Sequence, residues 1–301
     1  ATNDSTYDAS NDYTAGNAPR FYEPPTVTIH DYGIRTFITV GIASGDRSTP
    51  LDVYPLTGRE KMSPSTALSA RPVNNVYGII DKDFIKKDLM SLADNQLETK
   101  DITRLTLRKN PQILRSGETR VAQIFFPNTG VGQSGWYRSL SSMSDGTEKA
   151  NNSFRIKGGL KAFEEPMAVT GTLIVPVYDP QGTGIVAADP CLPRVVGETD
   201  QQTFCLPFGA CLNSDGSIDQ NKENGSGFKT QTGTNCPVGA SECNKNVIGS
   251  GIRGIAFVPK RDEPPVTNSC GKLQLSGNES GTGEWQCTSH LVPARWYERY
   301  R

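Results

Sequence analysis

The stretch Met167-Ala-Val-Thr-Gly-Thr-Leu-Ile-Val-Pro-Val-Tyr178 carries the strongest structural signal in the chain. It is rich in β-branched residues, which fit the pleated, half-buried surface of a sheet better than a helix. Gly171 and Pro176 interrupt the run, because glycine weakens a strand interior and proline cannot donate to a ladder. We therefore predict two strands, or one bent strand, over this stretch.

Further short strands are predicted on both sides of this stretch, wherever a β-branched or aromatic run is bounded by turn residues. They cover residues 26–29, 35–43, 76–80, 103–107, 121–126, 135–140, 153–156, 251–259, 272–275 and 284–291. The one helical pattern is Lys82–Ala93, with Asp81 as its N-cap. Short strands at irregular spacing with few helices predict a mainly β fold, either a sandwich or a propeller.

Composition divides the chain into three parts. Residues 1–20 are polar and predict an extended linker, and residues 21–301 form the β domain. Within that domain, residues 180–249 are rich in Gly and Cys and show almost no periodicity. We predict that this segment is a long loop insertion held by disulfide bonds.

The seven cysteines support this interpretation, because all of them lie between Cys191 and Cys287 and none forms a C-x-x-C pair. Cysteines among Gly, Pro, Asn and Ser are typical of disulfides in an exported protein, the alternative being buried reduced thiols. Cys236–Cys243 and Cys270–Cys287 are the leading local pairs. The pairing of Cys191, Cys205 and Cys211 is left open, and an odd count leaves at least one sulfur free or bonded outside this chain.

Charge and hydropathy point to few classes of partner. With 31 Lys and Arg against 32 Asp and Glu, no global field favours nucleic acid. The Arg- and aromatic-rich tail, residues 295–301, is more typical of a core cap or a partner surface than of a nucleic-acid site. No apolar run reaches eighteen residues, so we predict no transmembrane helix.

Catalytic patterns are weak, and we predict that the chain is not an enzyme. His30 and His290 are the only histidines, so a Ser-His-Asp or Cys-His arrangement would need one of them. Each is better interpreted as a surface or cap residue. Gly249-Ser-Gly-Ile-Arg-Gly254 fits G-x-G-x-x-G but precedes a predicted strand, so the phosphate-binding helix N-terminus is missing.

A calcium loop is possible at one place, where oxygen-bearing side chains alternate in Asn213-Ser-Asp-Gly-Ser-Ile-Asp219. Asn213, Asp215 and Asp219 are the weak candidate ligands. An EF-type loop would need Gly at its sixth position and Glu at its twelfth, where this chain has Ile218 and Asn224. The alternative is a turn in a disulfide-bonded loop, and no other cofactor is predicted.

Trp136 and Tyr137 are predicted structural anchors. Period two places Trp136, Arg138 and Leu140 on one face of their strand and Tyr137 on the other. Trp and Leu favour the first face as the buried one, with Arg138 reaching its edge. The alternative is an exposed aromatic binding patch that also includes Trp285, Trp296 and Tyr297.

Six stretches form a motif series when they are taken in order along the chain. The first three are Arg20-Phe-Tyr-Glu-Pro-Pro25, Ile38-Thr-Val-Gly-Ile-Ala-Ser-Gly-Asp-Arg47 with Pro50-Leu51 after it, and Val76-Tyr-Gly-Ile-Ile-Asp81. The last three are Gly135-Trp-Tyr-Arg-Ser-Leu140 followed by Glu148-Lys149, Gly171–Tyr178 followed by Pro180 and Cys191, and Arg295-Trp-Tyr-Glu298. Together they extend over about residues 20–260 and the tail.

This series resembles the C-terminal part of the PilC-type proteins found at the tips of bacterial type IV pili. The third stretch is similar to the family's Y-G-I-x-D segment, and the fourth to its G-W-Y-x-x-L…G-E-K signature. The fifth is similar to the strand G-x-v-x-x-x-x-Y-x-P…C. The departures are that this chain has neither the Asp-x-Asp-x-Asp calcium loop that family members often carry nor an Arg-Gly-Asp tripeptide.

The resemblance implies a C-terminal piece of a longer protein that holds the later blades of a modified β-propeller. It implies an extracellular position at the pilus tip and a non-catalytic role in pilus biogenesis and adhesion. The partners would be minor pilins, the rest of the tip protein and a surface or host receptor, with residues 44–75 and 180–249 presenting contact surface. The alternatives are a purely structural subunit on minor pilins and, less favoured, a quinoprotein-like propeller dehydrogenase.

Overall fold

The computed structural model describes residues 20–45, 47, 50, 56–57, 60–61, 74–86, 91–93, 97, 105–140, 160–169, 171–179, 197–220, 230–232, 242–244, 247–252, 255–259, 269–275 and 283–286. The chain divides into two compact units, Ala1–Gly254 and Ile255–Arg301. The described residues are mainly β, with one short helix, α1 (Val121–Phe125). That helix is too short to cross a membrane, and no helix in the described ranges is long and apolar enough to do so.

Seventeen strands are present in the described residues. In chain order they are β1 (Thr26–Tyr32), β2 (Arg35–Ala43), β3 (Leu56–Thr57), β4 (Glu60–Lys61), β5 (Asn75–Asp81), β6 (Leu107–Lys109), β7 (Gly135–Ser139), β8 (Lys161–Ala162), β9 (Met167–Val169), β10 (Thr172–Asp179), β11 (Glu198–Cys205), β12 (Thr230–Thr232), β13 (Glu242–Asn244), β14 (Val247–Ser250), β15 (Ile255–Pro259), β16 (Ser269–Leu275) and β17 (Gly283–Gln286).

Two five-stranded sheets contain most of the described strand residues of the first unit. The first has the order β1-β2-β5-β7-β6, and only the β6–β7 pair is parallel. The second has the order β14-β11-β10-β8, with β9 also paired to β10. Two short hairpins, β3–β4 and β12–β13, complete the described strands of this unit. The described ladders are otherwise antiparallel, and they form neither a closed barrel nor a propeller.

The core lies between the two large sheets. Phe37, Val76 and Trp136 of the first sheet belong to one buried cluster with Leu173 and Phe204 of the second. A separate buried cluster of Tyr77, Leu107 and Tyr137 lies on the other side of the first sheet. The two faces of β7 are therefore both buried, one by each cluster, since successive side chains of a strand alternate between faces.

The stretch at residues 167–178 forms two strands, with Gly171 between β9 and β10 at φ +76°. Pro176 does not break β10. Along one edge it lies opposite Gln201 of β11, and along the other it lies between the short ladders to β9 and β8. Because proline lacks an N–H, an interruption in the ladder is where a strand tolerates it.

The described N-terminal part of the predicted helix Lys82–Ala93 is not helical. Residues 82–86 form turns, in which the Asp81 carboxylate accepts the N–H of Asp83 at 2.9 Å and Lys86 N–H donates to the Asp83 carbonyl at 2.8 Å. Residues 87–90 lie outside the described residues. The observed helix α1 occupies a segment predicted as a strand, because Val121, Ala122 and Phe125 share one buried helical face.

The Cys-rich segment 180–249 is also more ordered than predicted. It contains β11, which pairs with β10 over eight residues and with β14 on its other edge. The prediction of a strandless insertion is therefore wrong for Glu198–Cys205, whose sequence is mostly polar. Thr199 and Gln202 of this strand are buried nonetheless. Because these buried residues are polar, the sequence of β11 does not show the alternation of apolar and polar residues that predicts a strand.

The second unit contains one described sheet, with the order β15-β16-β17. Both of its ladders are antiparallel, and the second has a register irregularity between Ser269 and Gly271. The predicted strands at residues 251–259, 272–275 and 284–291 overlap these three strands. The predicted strand at residues 153–156 lies outside the described residues.

Candidate functional site

Trp136 connects the two sheets at the centre of the first unit. Its side chain is 0% exposed, and its indole N–H donates to the carbonyl of Pro207 at 2.8 Å. The Phe204 ring lies at 6.1 Å between centroids. Gly78 and Gly209 lie against the indole so closely that a Cβ at either position would overlap it. The indole therefore occupies a slot that two glycines leave open.

The loop that receives the indole N–H is closed by a disulfide bond between Cys205 and Cys211, whose Cα atoms are 5.0 Å apart. Between the two cysteines, Phe208 enters the core and stacks on Phe125 at 5.3 Å. The amide oxygen of Gln112 accepts the Cys211 N–H at 3.1 Å. The disulfide thus fixes a short loop that seals one end of the core.

Sequence reasoning left the pairing of these two cysteines open. Their separation of six residues is the shortest between any two cysteines of the chain, and that spacing was the available signal. The predicted pairs Cys236–Cys243 and Cys270–Cys287 involve side chains outside the described part of the structure. These two pairs stay predictions.

Trp136 and Tyr137 were predicted as buried anchors, and both side chains lie in the interior. An exposed binding patch built on these two residues is inconsistent with that burial. Arg138 does not stop at the edge of the face: it is buried, and its guanidinium carbon lies 5.7 Å from the centroid of the Phe204 ring. The side chains of Trp285, Trp296 and Tyr297 lie outside the described residues.

Arg108, a residue that sequence reasoning did not single out, is a second buried cation. It donates to the Glu118 carboxylate and to the Ile113 carbonyl, each at 2.8 Å. Burial lowers the pKa of its guanidinium, and Glu118 partly opposes that shift. This ion pair joins β6 to the turn before α1, and its role is structural.

An exposed aromatic and cationic surface lies at the tip of the β1–β2 hairpin, and sequence reasoning did not identify it. We call it the tip patch, and it consists of the exposed side chains of Tyr32, Ile34 and Arg35 together with the half-buried ring of Phe126 and the buried side chain of Lys82. Gly33, at φ +63°, makes the two-residue turn that leaves Ile34 fully exposed. Glycine at the first turn position, followed by a residue without positive φ, is typical of a type II′ hairpin turn.

Two cations flank one ring of the tip patch. The Arg35 guanidinium carbon and the Lys82 ammonium nitrogen lie 5.3 and 5.2 Å from the centroid of the Phe126 ring. Tyr32 stacks on the same ring at 6.4 Å, and Lys82 also donates to the Phe125 carbonyl at 2.6 Å. Exposed aromatic and aliphatic groups beside arginine are typical of protein-binding surfaces. The tip patch is therefore the best described candidate for contact with a partner.

The predicted calcium ligands form a tight turn. Asp215 accepts from both the N–H and the hydroxyl of Ser217, at 2.9 and 2.6 Å. The Asn213 amide N–H donates to the Ser217 hydroxyl at 3.0 Å, and Asp219 N–H donates to the Cys211 carbonyl. The hydroxyl of Ser217 is the main cause that lowers the pKa of Asp215. Among the described residues, no group of three His, Cys, Asp or Glu side chains is placed to hold a metal ion.

His30 lies on β1 at the margin of the core. Its Nε2 is 2.7 Å from the Thr28 hydroxyl, and its ring stacks on Phe37 at 5.9 Å. Partial burial lowers the pKa of His30, and the neighbouring Asp31 carboxylate partly opposes that shift. His30 is therefore held by packing and by one hydroxyl, while His290 lies outside the described residues.

Comparisons with protein-family models, with curated proteins and with solved structures found no match to this chain.

Proposed function

We propose that this chain is a non-catalytic, type IV pilus tip-associated protein that acts in pilus biogenesis and in attachment to surfaces or host cells. One observation carries the proposal. Of the six stretches that resemble the PilC-type family, four overlap the strands β2, β5, β7 and β10. These strands are adjacent in the first sheet or central in the second. Motifs that occupy the core strands specify the scaffold itself, which is what a family signature should do.

The disulfide between Cys205 and Cys211 supports the extracellular part of the proposal. Disulfide bonds form and persist in the periplasm and at the cell surface and are rare in the cytosol. On this proposal, the complete protein carries a modified β-propeller to which the sheets of this chain contribute later blades. Minor pilins and the rest of the tip protein would be its structural partners.

The tip patch supplies the contact surface in this proposal. Its Ile34 projects fully exposed from a hairpin whose base is fixed by seven register pairs between β1 and β2. Functional contact residues commonly lie on loops that a rigid scaffold holds in place. The predicted contact segments 44–75 and 180–249 lie mostly outside the described residues, and their part in attachment stays a prediction.

Localisation tests the proposal directly. Immunogold labelling of sheared type IV pili from the bacterium that produces the protein should mark one end of each fibre. Deletion of the gene should lower the number of surface pili. Label distributed along the shafts, or wild-type pili on the deletion strain with no label on any fibre, would overturn the proposal.

A double variant of the tip patch separates adhesion from a purely structural role. Ile34→Ser with Arg35→Ser should lower attachment while the number of pili and the melting temperature stay unchanged, because both side chains are exposed. Ile113→Ser is the matched control, because the Ile113 side chain is also exposed. This residue comes shortly after β6, the strand at the opposite edge of the sheet from β1. If the double variant attaches normally, the structural alternative is favoured.

A further inference from the structure

The strand β1 has an unpaired edge. It is the first strand of its sheet, and no described strand pairs with its other side. A sheet edge presents unpaired N–H and C=O groups, which are a template for another strand. Soluble proteins usually protect such edges with a short strand, a bulge, a proline or a lysine.

The other described edges of the two large sheets carry such protection. At the edges, β6 has three residues and includes Lys109, β8 has two residues, and the ladder between β14 and β11 has a register irregularity. By contrast, β1 has seven residues in an unbroken register and contains neither lysine nor proline.

The hairpin geometry shows which backbone groups of β1 point outward. Tyr32 and Arg35 flank a two-residue turn, so they form a hydrogen-bonded pair, and alternate residues of β1 bond to β2. The N–H and C=O groups of Val27, Ile29 and Asp31 therefore face the unpaired edge. The side chains of all three residues are exposed, and two of them are aliphatic, Val27 at 57% and Ile29 at 66%.

We propose that β1 pairs with β1 of a second copy of this chain, antiparallel and about a twofold axis at Thr28. In this register Val27 lies opposite Ile29 of the second copy. The outward N–H and C=O groups of these two residues then hydrogen-bond to each other, and their exposed aliphatic side chains meet on the same face of the sheet. Thr28 faces its own copy, and Thr26 faces His30 of the second copy.

The alternative twofold axis at Ile29 would place Val27 beside an aspartate, Asp31 of the second copy. In the register about Thr28, Asp31 instead lies opposite Pro25, and the two Asp31 carboxylates are roughly 20 Å apart at a rise of about 3.4 Å per residue. In the register about Thr28, therefore, the exposed aliphatic side chains of β1 meet and its two carboxylates stay apart. We therefore infer that the strand which pairs with this edge is β1 of a second copy of the chain.

The pairing closes after one step, because a twofold interface uses the same edge of both copies. It joins two five-stranded sheets into one continuous ten-stranded sheet and leaves no further β1 edge. A ladder of about five residues belongs to the small class of interfaces, below roughly 1,200 Å². We therefore expect a weak, concentration-dependent dimer.

Sedimentation of the full chain over a concentration series tests the proposal. The mass should rise from that of one chain to that of two and no further. Val27→Lys or Ile29→Lys should each raise the dimer dissociation constant roughly tenfold or more, because an inserted lysine is a natural edge protector. Ile113→Lys is the control, because that residue is exposed and lies away from β1, and it should leave the constant unchanged.

Cross-linking tests the register. The Cα atoms of a hydrogen-bonded antiparallel pair are about 5.5 Å apart, which a disulfide can span. An oxidised mixture of Val27→Cys and Ile29→Cys chains should therefore contain mainly mixed dimers joined through the two new cysteines, as peptide mapping would show.

Three results would overturn the proposal. They are a single-chain mass at every concentration, an association that neither lysine variant weakens, and a mass that grows beyond two chains. Efficient cross-linking of Ile29→Cys to itself would overturn the register about Thr28.

Discussion

Replacing Trp136 with alanine should remove the side chain that connects the two sheets. The indole is fully buried and lies between two glycines that offer no side chain to fill the space. Large-to-small changes at such sites cost about 3–5 kcal/mol in the free energy of unfolding. The Pro207 carbonyl would also lose its 2.8 Å donor, and we therefore expect a loss near the upper end, about 4–5 kcal/mol.

Trp136→Phe is the matched variant that separates packing from the hydrogen bond. It keeps an aromatic ring beside Phe204 but removes the indole N–H that bonds to Pro207. We expect it to cost about 1–3 kcal/mol, the range for leaving a buried acceptor without its partner. The difference between the two variants then reports the cavity.

Urea unfolding followed by far-ultraviolet circular dichroism is the appropriate assay. Indole fluorescence would change with the substitution itself, so it cannot serve as the common probe. The slope of the free energy against urea should stay the same in all three proteins while the midpoint falls, which indicates an unchanged native fold. A loss below about 1 kcal/mol for Trp136→Ala, a value typical of surface sites, would refute the assignment of this residue as the central core anchor.

Three further predictions concern single features of the first unit. Gly209→Ala should lower the unfolding midpoint more than Gly216→Ala. Both residues have positive φ, but only at Gly209 would the added Cβ overlap the Trp136 indole. Equal shifts of the two midpoints would contradict this. The double variant Cys205→Ser, Cys211→Ser should lose about 2 kcal/mol of unfolding free energy without reductant, near the lower end expected for a short closed loop, and an unchanged midpoint would argue against the bond. His30→Gln should flatten the fall in stability below about pH 6.5. A partly buried histidine with a lowered pKa stabilises the fold above its unfolded pKa and loses that contribution as pH falls through its folded pKa. An unfolding midpoint that follows pH equally in both proteins would contradict this.

The strands of the core could be predicted because their side chains alternate or are uniformly apolar. Residues 35–43, 76–80 and 135–140 coincide with β2, β5 and β7 to within a residue or so at each end. These segments are buried on one or both faces, and burial on a pleated strand leaves a period of two in the sequence. The turn at Gly171 was predictable for a similar reason, since only glycine adopts its positive φ without strain.

Segments with two acceptable local structures could not be assigned from their residues. Val121–Phe125 contains β-branched and aromatic residues that favour a strand, yet a helix buries Val121 and Phe125 on one face. Lys82 was predicted as the first residue of a helix, but it lies in a turn and its side chain donates inward to the Phe125 carbonyl at 2.6 Å. In both cases the neighbouring element decides the conformation, because packing exceeds intrinsic propensity.

The sequence by itself determined the mainly β class, several of the core strands and the presence of a disulfide bond among the clustered cysteines, because periodicity and composition are local properties. Only the tertiary structure decided that the polar segment Glu198–Cys205 is a central strand, and that Cys205 pairs with Cys211. It also decided that Ile34 of the tip patch and the side chains of Val27 and Ile29 on the edge strand β1 are exposed. The physical reason is that sheet order, disulfide pairing and exposure depend on which residues meet in the folded chain, and a local pattern such as the short spacing of Cys205 and Cys211 does not by itself fix those partners.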